Sequence, residues 1–257
     1  MDFRDRIRIW NETKVTANAY PSQNAEKFWY VDNFQYRQTS QGITNVTVVN
    51  QDSIAAGREL QLKGLYPLVL IFADHRFAGG DVQHGSGAQE ESLFRRTNLC
   101  NYMLQHLHYP ILPTEALVSS GVTVFRDVEA NNCQFLDQPF TMDFIACPAL
   151  HNPQLVDGKL SDSDINELRT KLRLIFQVAY KCGNDALVLG PMGCGAWRSP
   201  PEQVARIMKE ELDLVNGVFK HVTMACLEVK QRDYIVQNRD KVESNYHVFQ
   251  HVFAKKM

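Results

Sequence analysis

The sequence lacks the features by which several classes of protein are recognised. Lys and Arg number 27 against 29 Asp and Glu, so the formal net charge is −2 and no basic excess is present to neutralise phosphates. A general nucleic-acid-binding protein and a membrane-surface protein are therefore disfavoured. No run approaches the roughly 18 apolar residues of a membrane span, and the N-terminus, MDFRDRIRIWNET, is charged. We expect an intracellular protein, cytoplasmic or nuclear.

The six cysteines have no regular spacing. None of the six cysteines has CxxC spacing, and several lie in apolar runs, so reduced and buried thiols are expected. His75 and His84 are nine residues apart in a glycine-rich stretch, without a Cys/His cluster beside them. We predict a protein without a bound metal ion or cofactor.

No internal repeat, low-complexity tract or Pro/Gly/Ser-rich linker divides the 257 residues. This predicts one domain over 1–257, and we expect a monomer. Residues 1–40 fit the remaining pattern poorly and indicate an N-terminal extension, with a helix and a polar loop that carries aromatic residues. Residues 41–230 are the predicted core, and residues 231–257 a C-terminal segment.

Apolar, strand-like runs alternate with helical segments in the core region. The run YPLVLIFA is continuously apolar, as in a strand buried on both faces. The segment SDSDINELRTKLRLIFQVAYKCG begins on a Ser/Asp cap and ends at Gly183, which predicts a long helix. The predicted strands are 44–50, 66–73, 121–127, 140–149, 185–190 and 221–229, and the other helices are 52–64, 89–107 and 200–215. The alternation predicts an α/β fold, with a mixed, largely parallel sheet and helices on both faces.

Two glycine-rich loops each follow a predicted strand. The first, FADHRFAGGDVQHGSGAQEES, ends in Gln89, Glu90 and Glu91 at a helix start; the second is GPMGCGAWRSPP. Ligands of open α/β sheets bind beyond the carboxyl ends of the strands. Glycines let backbone N–H groups approach an anion, and a following helix adds its dipole. Two such loops facing each other would clamp a diphosphate, although neither matches GxxxxGK[ST] or a GxGxxG fingerprint.

A glycine-rich triplet, a short spacer and Gln-Glu-Glu resemble the signature of the poly(ADP-ribose) glycohydrolases, particularly the microbial-type branch, which is built on a macrodomain. Here it reads Gly79-Gly80-Asp81, seven residues, then Gln89-Glu90-Glu91. The segments VTVVNQDSIAAGREL, SSGVTVFRD and LVLGPMGCGAW also resemble the family. The resemblance implies a macrodomain-like fold and an ADP-ribosylhydrolase, whose partners would be ADP-ribose and an ADP-ribosylated protein.

The resemblance also implies a role for each loop residue. Glu91 would protonate the leaving group and then activate water, and Glu90 would bind a hydroxyl group on the leaving-group side. Adjacent helical residues point about 100° apart, so the two acids cannot flank the bond as in ordinary glycosidases. Gln89 would help to fix the loop. The backbone of Gly79, Gly80, Asp81 and Val82 would cover the diphosphate and distal ribose, and that of Gly193, Cys194, Gly195 and Ala196 would cradle the other side.

Two residues of the second loop keep alternative interpretations. Trp197 packs either on the ribose or in the core. Cys194 is interpreted as a small spacing residue rather than a nucleophile, although a helix N-terminus could lower the pKa of its thiol.

Two departures from the family pattern add carboxylates beside the proposed reaction centre. The family usually has Asn where Asp74 stands and a third glycine where Asp81 stands. A cationic guanidinium offers several N–H donors to carboxylates, so we expect arginine-linked mono-ADP-ribose to be the favoured substrate, with Asp81 in the catalytic group and Asp74 in substrate binding. The alternatives are carboxylates that merely cap loop amides, a poly(ADP-ribose) glycohydrolase, a hydrolase of another ADP-ribose conjugate, and a non-catalytic ADP-ribose-binding module.

Overall fold

The computed structural model describes residues 1–37, 42–103, 108–228 and 243–254. Its strands are β1 (Glu26–Trp29), β2 (Asn45–Val49), β3 (Pro67–Ala73), β4 (Glu115–Arg126), β5 (Phe135–Pro148), β6 (Ala186–Leu189) and β7 (His221–Ala225). Its helices are α1 (Phe3–Ala17), α2 (Ser53–Leu62), α3 (Gln89–Arg96), α4 (Leu99–Met103), α5 (Asp162–Cys182), α6 (Pro201–Leu214) and α7 (Asn245–Ala254). No helix in these ranges is long and apolar enough to cross a membrane.

The strands form one sheet in the order β1-β4-β5-β3-β6-β7-β2. β4 is antiparallel to both of its neighbours, and every other pair, from β5 to β2, is parallel. The macrodomain-like, largely parallel sheet predicted from the sequence is therefore confirmed. The parallel order places the carboxyl ends of β5, β3 and β6 side by side at one end of the sheet, which we call its carboxyl edge.

Alternate residues of β3 enter two different cores, which explains its unbroken apolar sequence. Leu68 and Leu70 face a core shared with α5, α6 and α7. Val69 and Ile71 face a second core shared with α1, α2, α3 and α4. A strand covered on both faces in this way has no solvent side on which a polar residue is favoured.

Two local predictions differ from the structure. The helix expected over 89–107 ends at Arg96, because Thr97 bonds its hydroxyl to the Leu93 carbonyl and pairs with β4 at Val124. Ser, Thr and Asn side chains that bond nearby backbone favour helix ends in this way. Residues 104–107 of that expected helix lie outside the described residues. The N-terminal loop contains a short strand, β1, that the sequence analysis did not predict.

The strand expected over 121–127 begins at Glu115. Gly121 interrupts the apolar pattern because it lies in an irregularity of the β4–β5 ladder, between Ser119 and Val122, with φ of +68°. A glycine inside a strand often marks such a bulge.

The C-terminal segment contains α7, which packs Phe249 and Val252 into the core shared with α5 and α6. The remainder of the predicted segment, 231–242 and 255–257, lies outside the described residues.

Candidate active site

The two glycine loops lie side by side at the carboxyl edge of the sheet. The first follows β3 and the second follows β6, and these strands are hydrogen-bonded neighbours with Val69 opposite Val188. β5 borders β3 on its other side. The sequence predicted loops that face each other across a ligand, and the topology brings them to adjacent positions.

Gln89 fastens the start of α3 to β3. Its side-chain oxygen accepts from the Phe72 N–H at 3.0 Å, and its nitrogen donates to the Leu70 carbonyl at 2.7 Å. The same nitrogen lies 3.2 Å from the Ser53 hydroxyl oxygen, at the start of α2. A side-chain amide is suited to this position because it both donates and accepts. The expected role of Gln89 in fixing the loop agrees with these contacts.

Both oxygens of Glu90 hold the backbone of the first loop. One accepts from the Asp74 N–H at 2.6 Å and the other from the Gly79 N–H at 3.0 Å. The residue is only 4% exposed. Burial raises the pKa of Glu90 well above its ordinary value of 4.5, and the neighbouring Glu91 adds to this, while the two backbone N–H groups oppose it. Glu90 therefore organises the loop in addition to any contact with a leaving group.

Glu91 has one oxygen engaged and one free. Its Oε1 accepts from the Asp81 N–H at 3.1 Å. Its Oε2 is buried and has no hydrogen-bond partner in the described part of the chain, although the residue is 6% exposed. Buried carboxylate oxygens are normally paired, so this oxygen is available to a ligand, an ion or a water molecule. The structure thus distinguishes the two adjacent acids.

Gly79 and Gly80 are required by these carboxylates and by α3. Both have positive φ, +79° and +54°. A Cβ on Gly80 would lie 2.6 Å from Glu91 Oε1, and one on Gly79 would lie 2.7 Å from the Phe94 ring. Asp81 has φ of −101°, which any residue can adopt, so the change from the family's third glycine causes no backbone strain there.

The N–H groups from Gly79 to Val82 are all used inside the protein. Those of Gly79 and Asp81 bond to the two carboxylates, and those of Gly80 and Val82 bond to the carbonyls of Phe77 and Gly79. Any contact of this loop with a diphosphate is therefore through van der Waals approach rather than through these donors. Val82 itself is buried in the core shared with α1 and α3.

The two added carboxylates have local partners. Asp74 Oδ1 accepts from the N–H groups of Arg76 and Phe77 at 2.7 and 2.9 Å, which is the backbone-capping alternative raised for this residue. The Asp81 carboxylate is exposed and pairs with the His84 ring. The backbone N–H of Asp81 donates to Glu91, whereas that of Asp74 donates to Glu90.

The second loop offers free backbone donors. Gly195 and Ala196 are exposed residues, and their N–H groups make no hydrogen bond to the described part of the chain. A Cβ on Gly195 would meet nothing within 4 Å, whereas one on Gly193 would lie 2.9 Å from the Ser199 hydroxyl. Gly193, with φ of +77°, shapes the turn, and Gly195 and Ala196 present donors to an anion.

The Cys194 thiol does not have the environment of a nucleophile. Burial raises the pKa of this thiol far above its ordinary value, and its sulfur lies 3.7 Å from the Met192 carbonyl oxygen. The interpretation of Cys194 as a spacing residue agrees with this environment.

A row of three rings links the two loops, and Trp197 is the one of them that the sequence predicted as a substrate-binding residue. Trp197 lies 4.2 Å from the His151 ring between centroids, and His151 lies 4.6 Å from the His75 ring. Arg76 donates to His75 Nε2 at 3.1 Å, and burial lowers the pKa of His75, so this ring favours the neutral form. The signal that identifies His151 is its position just after β5, at the end of the sheet where the two glycine loops lie.

Arg95 and Arg96 are buried, although a basic pair on a helix is usually found on a solvated face. They are 0% and 2% exposed. Arg96 donates to Asp52, the residue that caps α2, at 2.8 Å. Arg95 donates to the Ser86 carbonyl at 2.7 Å and also to Glu129. A sequence pattern does not reveal these partners because they are distant along the chain.

The N-terminal extension packs against the outer side of the first loop. Arg6 of α1 donates to the second oxygen of Glu129 at 3.0 and 3.1 Å. A Cβ on Gly87 would lie 2.3 Å from the Arg6 guanidinium, so a larger residue at this position would displace the Arg6 side chain. The extension is thus part of the structure that positions the candidate site.

Comparisons with known proteins found a family model that matches part of the chain. The model of the microbial-type PARG catalytic domain matches residues 7–127. No curated protein matches the chain. In the described residues, no group of three or more His, Cys, Asp or Glu side chains is placed to hold a metal ion.

Several solved structures share the fold. Poly(ADP-ribose) glycohydrolase from Thermomonospora curvata is 21% identical with a TM-score of 0.75, covering 97% of this chain and all of that one. The same enzyme bound to the inhibitor ADP-HPD has 22% identity, a TM-score of 0.71 and coverage of 96% and 99%. A point mutant of the Deinococcus radiodurans enzyme in complex with ADP-ribose has 27% identity, a TM-score of 0.66 and coverage of 82% and 84%.

The match over residues 7–127 includes Gly79, Gly80 and the Gln-Glu-Glu run. The structural likeness extends over almost the whole chain. Together these findings confirm the resemblance of this chain to the microbial-type poly(ADP-ribose) glycohydrolase family.

Proposed function

We propose that the protein hydrolyses the glycosidic bond between ADP-ribose units of poly(ADP-ribose). The observation that carries this proposal is the free, buried Glu91 Oε2 beneath the first glycine loop. A pure ADP-ribose-binding module has no use for such a carboxylate, because hydrolysis, and not binding, needs a group that moves a proton. The family match favours polymer as the substrate over the arginine-linked mono-ADP-ribose expected from the sequence.

The mechanism assigns different tasks to the two acids. Glu91 Oε2, as the carboxylic acid, gives its proton to the oxygen that leaves the anomeric carbon, and the resulting carboxylate then takes a proton from the attacking water. Glu91 Oε1 stays on the Asp81 N–H, which holds the group in one orientation. Glu90 holds the loop at Asp74 and Gly79. The protein thus supplies positioning together with a single acid/base residue.

The ADP-ribose unit would lie over the β3–β6 boundary. The N–H groups of Gly195 and Ala196 bind the diphosphate, and Trp197 packs against a ribose. Solved relatives in complex with ADP-ribose and with ADP-HPD support a ligand of this class. We expect the protein to act as a monomer.

Arginine-linked mono-ADP-ribose is a second candidate substrate, because of Asp81. Asp81 belongs to the loop that covers Glu91, and its exposed carboxylate would attract a guanidinium. Asp74 gives this candidate less support, since its carboxylate caps backbone N–H groups.

The test is release of ADP-ribose from polymer and from arginine-, serine- and glutamate-linked protein, for wild type and Asp81→Gly. We expect the wild type to be most active on polymer and Asp81→Gly to retain that activity. If arginine-linked substrate is cleaved fastest, and Asp81→Gly reduces that turnover selectively, the second candidate is correct. Absence of hydrolysis with retained ADP-ribose binding would show a binding module instead.

A further inference from the structure

A second buried polar atom without a partner lies at the same edge of the sheet as Glu91. The Tyr109 hydroxyl is buried and makes no hydrogen bond to any described residue. Its ring packs against the core shared with α3. Removing a hydroxyl from water without giving it a partner is unfavourable, and buried polar groups are normally paired.

The position of Tyr109 follows from the path of the chain. Residues 108–114 lead from the α4 side of the sheet to the start of β4 at Glu115. The Ile111 N–H donates to the His75 carbonyl at 2.9 Å, which attaches this segment to the first loop. The segment therefore crosses the carboxyl edge of the sheet, where the candidate site lies.

The segment that carries Tyr109 enters the sheet on the opposite side of β3 from the second loop. In the sheet order β4-β5-β3-β6, the second loop follows β6, whereas the segment of Tyr109 enters β4. If the diphosphate lies over the second loop and the scissile bond lies at Glu91, the leaving group extends towards β5 and β4. This placement rests on the proposed function.

The chemical state of the hydroxyl is fixed by its surroundings. Burial raises the pKa of Tyr109 well above its ordinary value of 10.0, and the carboxylates of Glu90 and Asp74 raise it further. The group is therefore a neutral O–H near neutral pH and acts as a hydrogen-bond donor. The leaving group of poly(ADP-ribose) is a ribose, which carries hydroxyl oxygens that accept such a bond.

We propose that Tyr109 is a substrate-contacting residue whose hydroxyl donates a hydrogen bond to the leaving-group ribose of the polymer. It determines specificity, because a leaving group without that ribose leaves the Tyr109 hydroxyl unpaired. Free ADP-ribose, which lacks the leaving-group ribose, does not make this contact.

Tyr109→Phe tests the proposal, with Tyr102→Phe as the matched control. Tyr102 donates to the Gly121 carbonyl at 3.2 Å, and Gly121 lies near Asp143, at the opposite edge of the sheet. We expect Tyr109→Phe to lower kcat/KM for polymer by roughly fivefold to tenfold, the loss of one hydrogen bond. Its Tm should be unchanged or higher, and its Kd for ADP-ribose should stay within about twofold.

The control should behave in the opposite way. Tyr102→Phe removes an internal hydrogen bond, so its Tm should fall while kcat/KM is unchanged. An active wild type with an equally active Tyr109→Phe overturns the inference alone, as does a Tyr109→Phe variant that loses stability without losing turnover. A wild type that releases nothing from polymer overturns the proposed function, and the inference with it.

Discussion

Glu90 and Glu91 are adjacent acids at the start of α3, and their hydrogen-bonding environments differ in the folded protein. Glu90 uses both oxygens on loop N–H groups, and Glu91 uses only one. The sequence located the pair through the family motif, and it could not show which oxygen is free. That difference arises from the backbone conformation at Gly79 and Gly80, where positive φ turns the loop N–H groups towards the carboxylates.

The raised pKa of Glu90 predicts how stability changes with pH. The folded protein binds a proton at Glu90 more tightly than the unfolded chain does. The stability that comes from this difference is fully present below the unfolded pKa and is lost as pH rises towards the folded pKa, by up to about 1.4 kcal/mol per pH unit. Glu90→Gln removes the titration, so the free energy of unfolding of wild type minus that of the variant should decrease above pH 4.5.

Urea denaturation at a series of pH values measures this difference. A difference that is constant or increases with pH contradicts the assigned environment of Glu90.

At the scale of elements, strands and helices were predictable where one pattern dominates. The apolar β3 and the capped, amphipathic α5 were found because burial and helix ends have local signals. β1 and the first half of β4 were not found, because β1 is four residues long and Gly121 interrupts β4. The burial of Arg95 and Arg96 was not predictable because their partners, such as Glu129, belong to other elements.

The second glycine loop is expected to bind the diphosphate. Gly195→Val places a Cβ where no other described residue comes within 4 Å, apart from its chain neighbours, so the fold should tolerate it. The added methyl groups would occupy the space of the phosphate, and ADP-ribose affinity measured by calorimetry should fall by at least about tenfold. Gly42→Val is the control, since Gly42 is equally open and precedes β2 at the opposite edge. Unchanged affinity in Gly195→Val would make this loop a connector only.

The contact between α1 and the first loop depends on Glu129. Glu129→Gln leaves Arg6 and the fully buried Arg95 without a carboxylate partner. We expect a loss of about 1–3 kcal/mol in the free energy of unfolding, together with slower polymer hydrolysis. Glu202→Gln, at an exposed ion pair with Arg206 on α6, should change stability by less than about 1 kcal/mol. Equal effects of the two variants would show that α1 does not position the loop.

At the scale of the molecule, the fold class and the neighbouring positions of the two glycine loops were predictable because they follow from strand order and loop placement. Which other side chains gather at the carboxyl edge was not predictable. His151 and Tyr109 come from segments without a motif, and the fold brings them beside residues that have one. Local use of the Asp74 carboxylate was not predictable either, since its partners are the N–H groups of its own loop.

The central claim is that Glu91 performs the chemistry while the rest of the site binds. The direct measurement is single-turnover hydrolysis of poly(ADP-ribose) by Glu91→Gln, with the Kd for ADP-ribose measured on the same preparation. We predict a rate lower by a factor of about 10²–10⁴ and a Kd within about tenfold of wild type, because the lost interaction belongs to the transition state. Near-normal turnover by the folded variant would contradict the account.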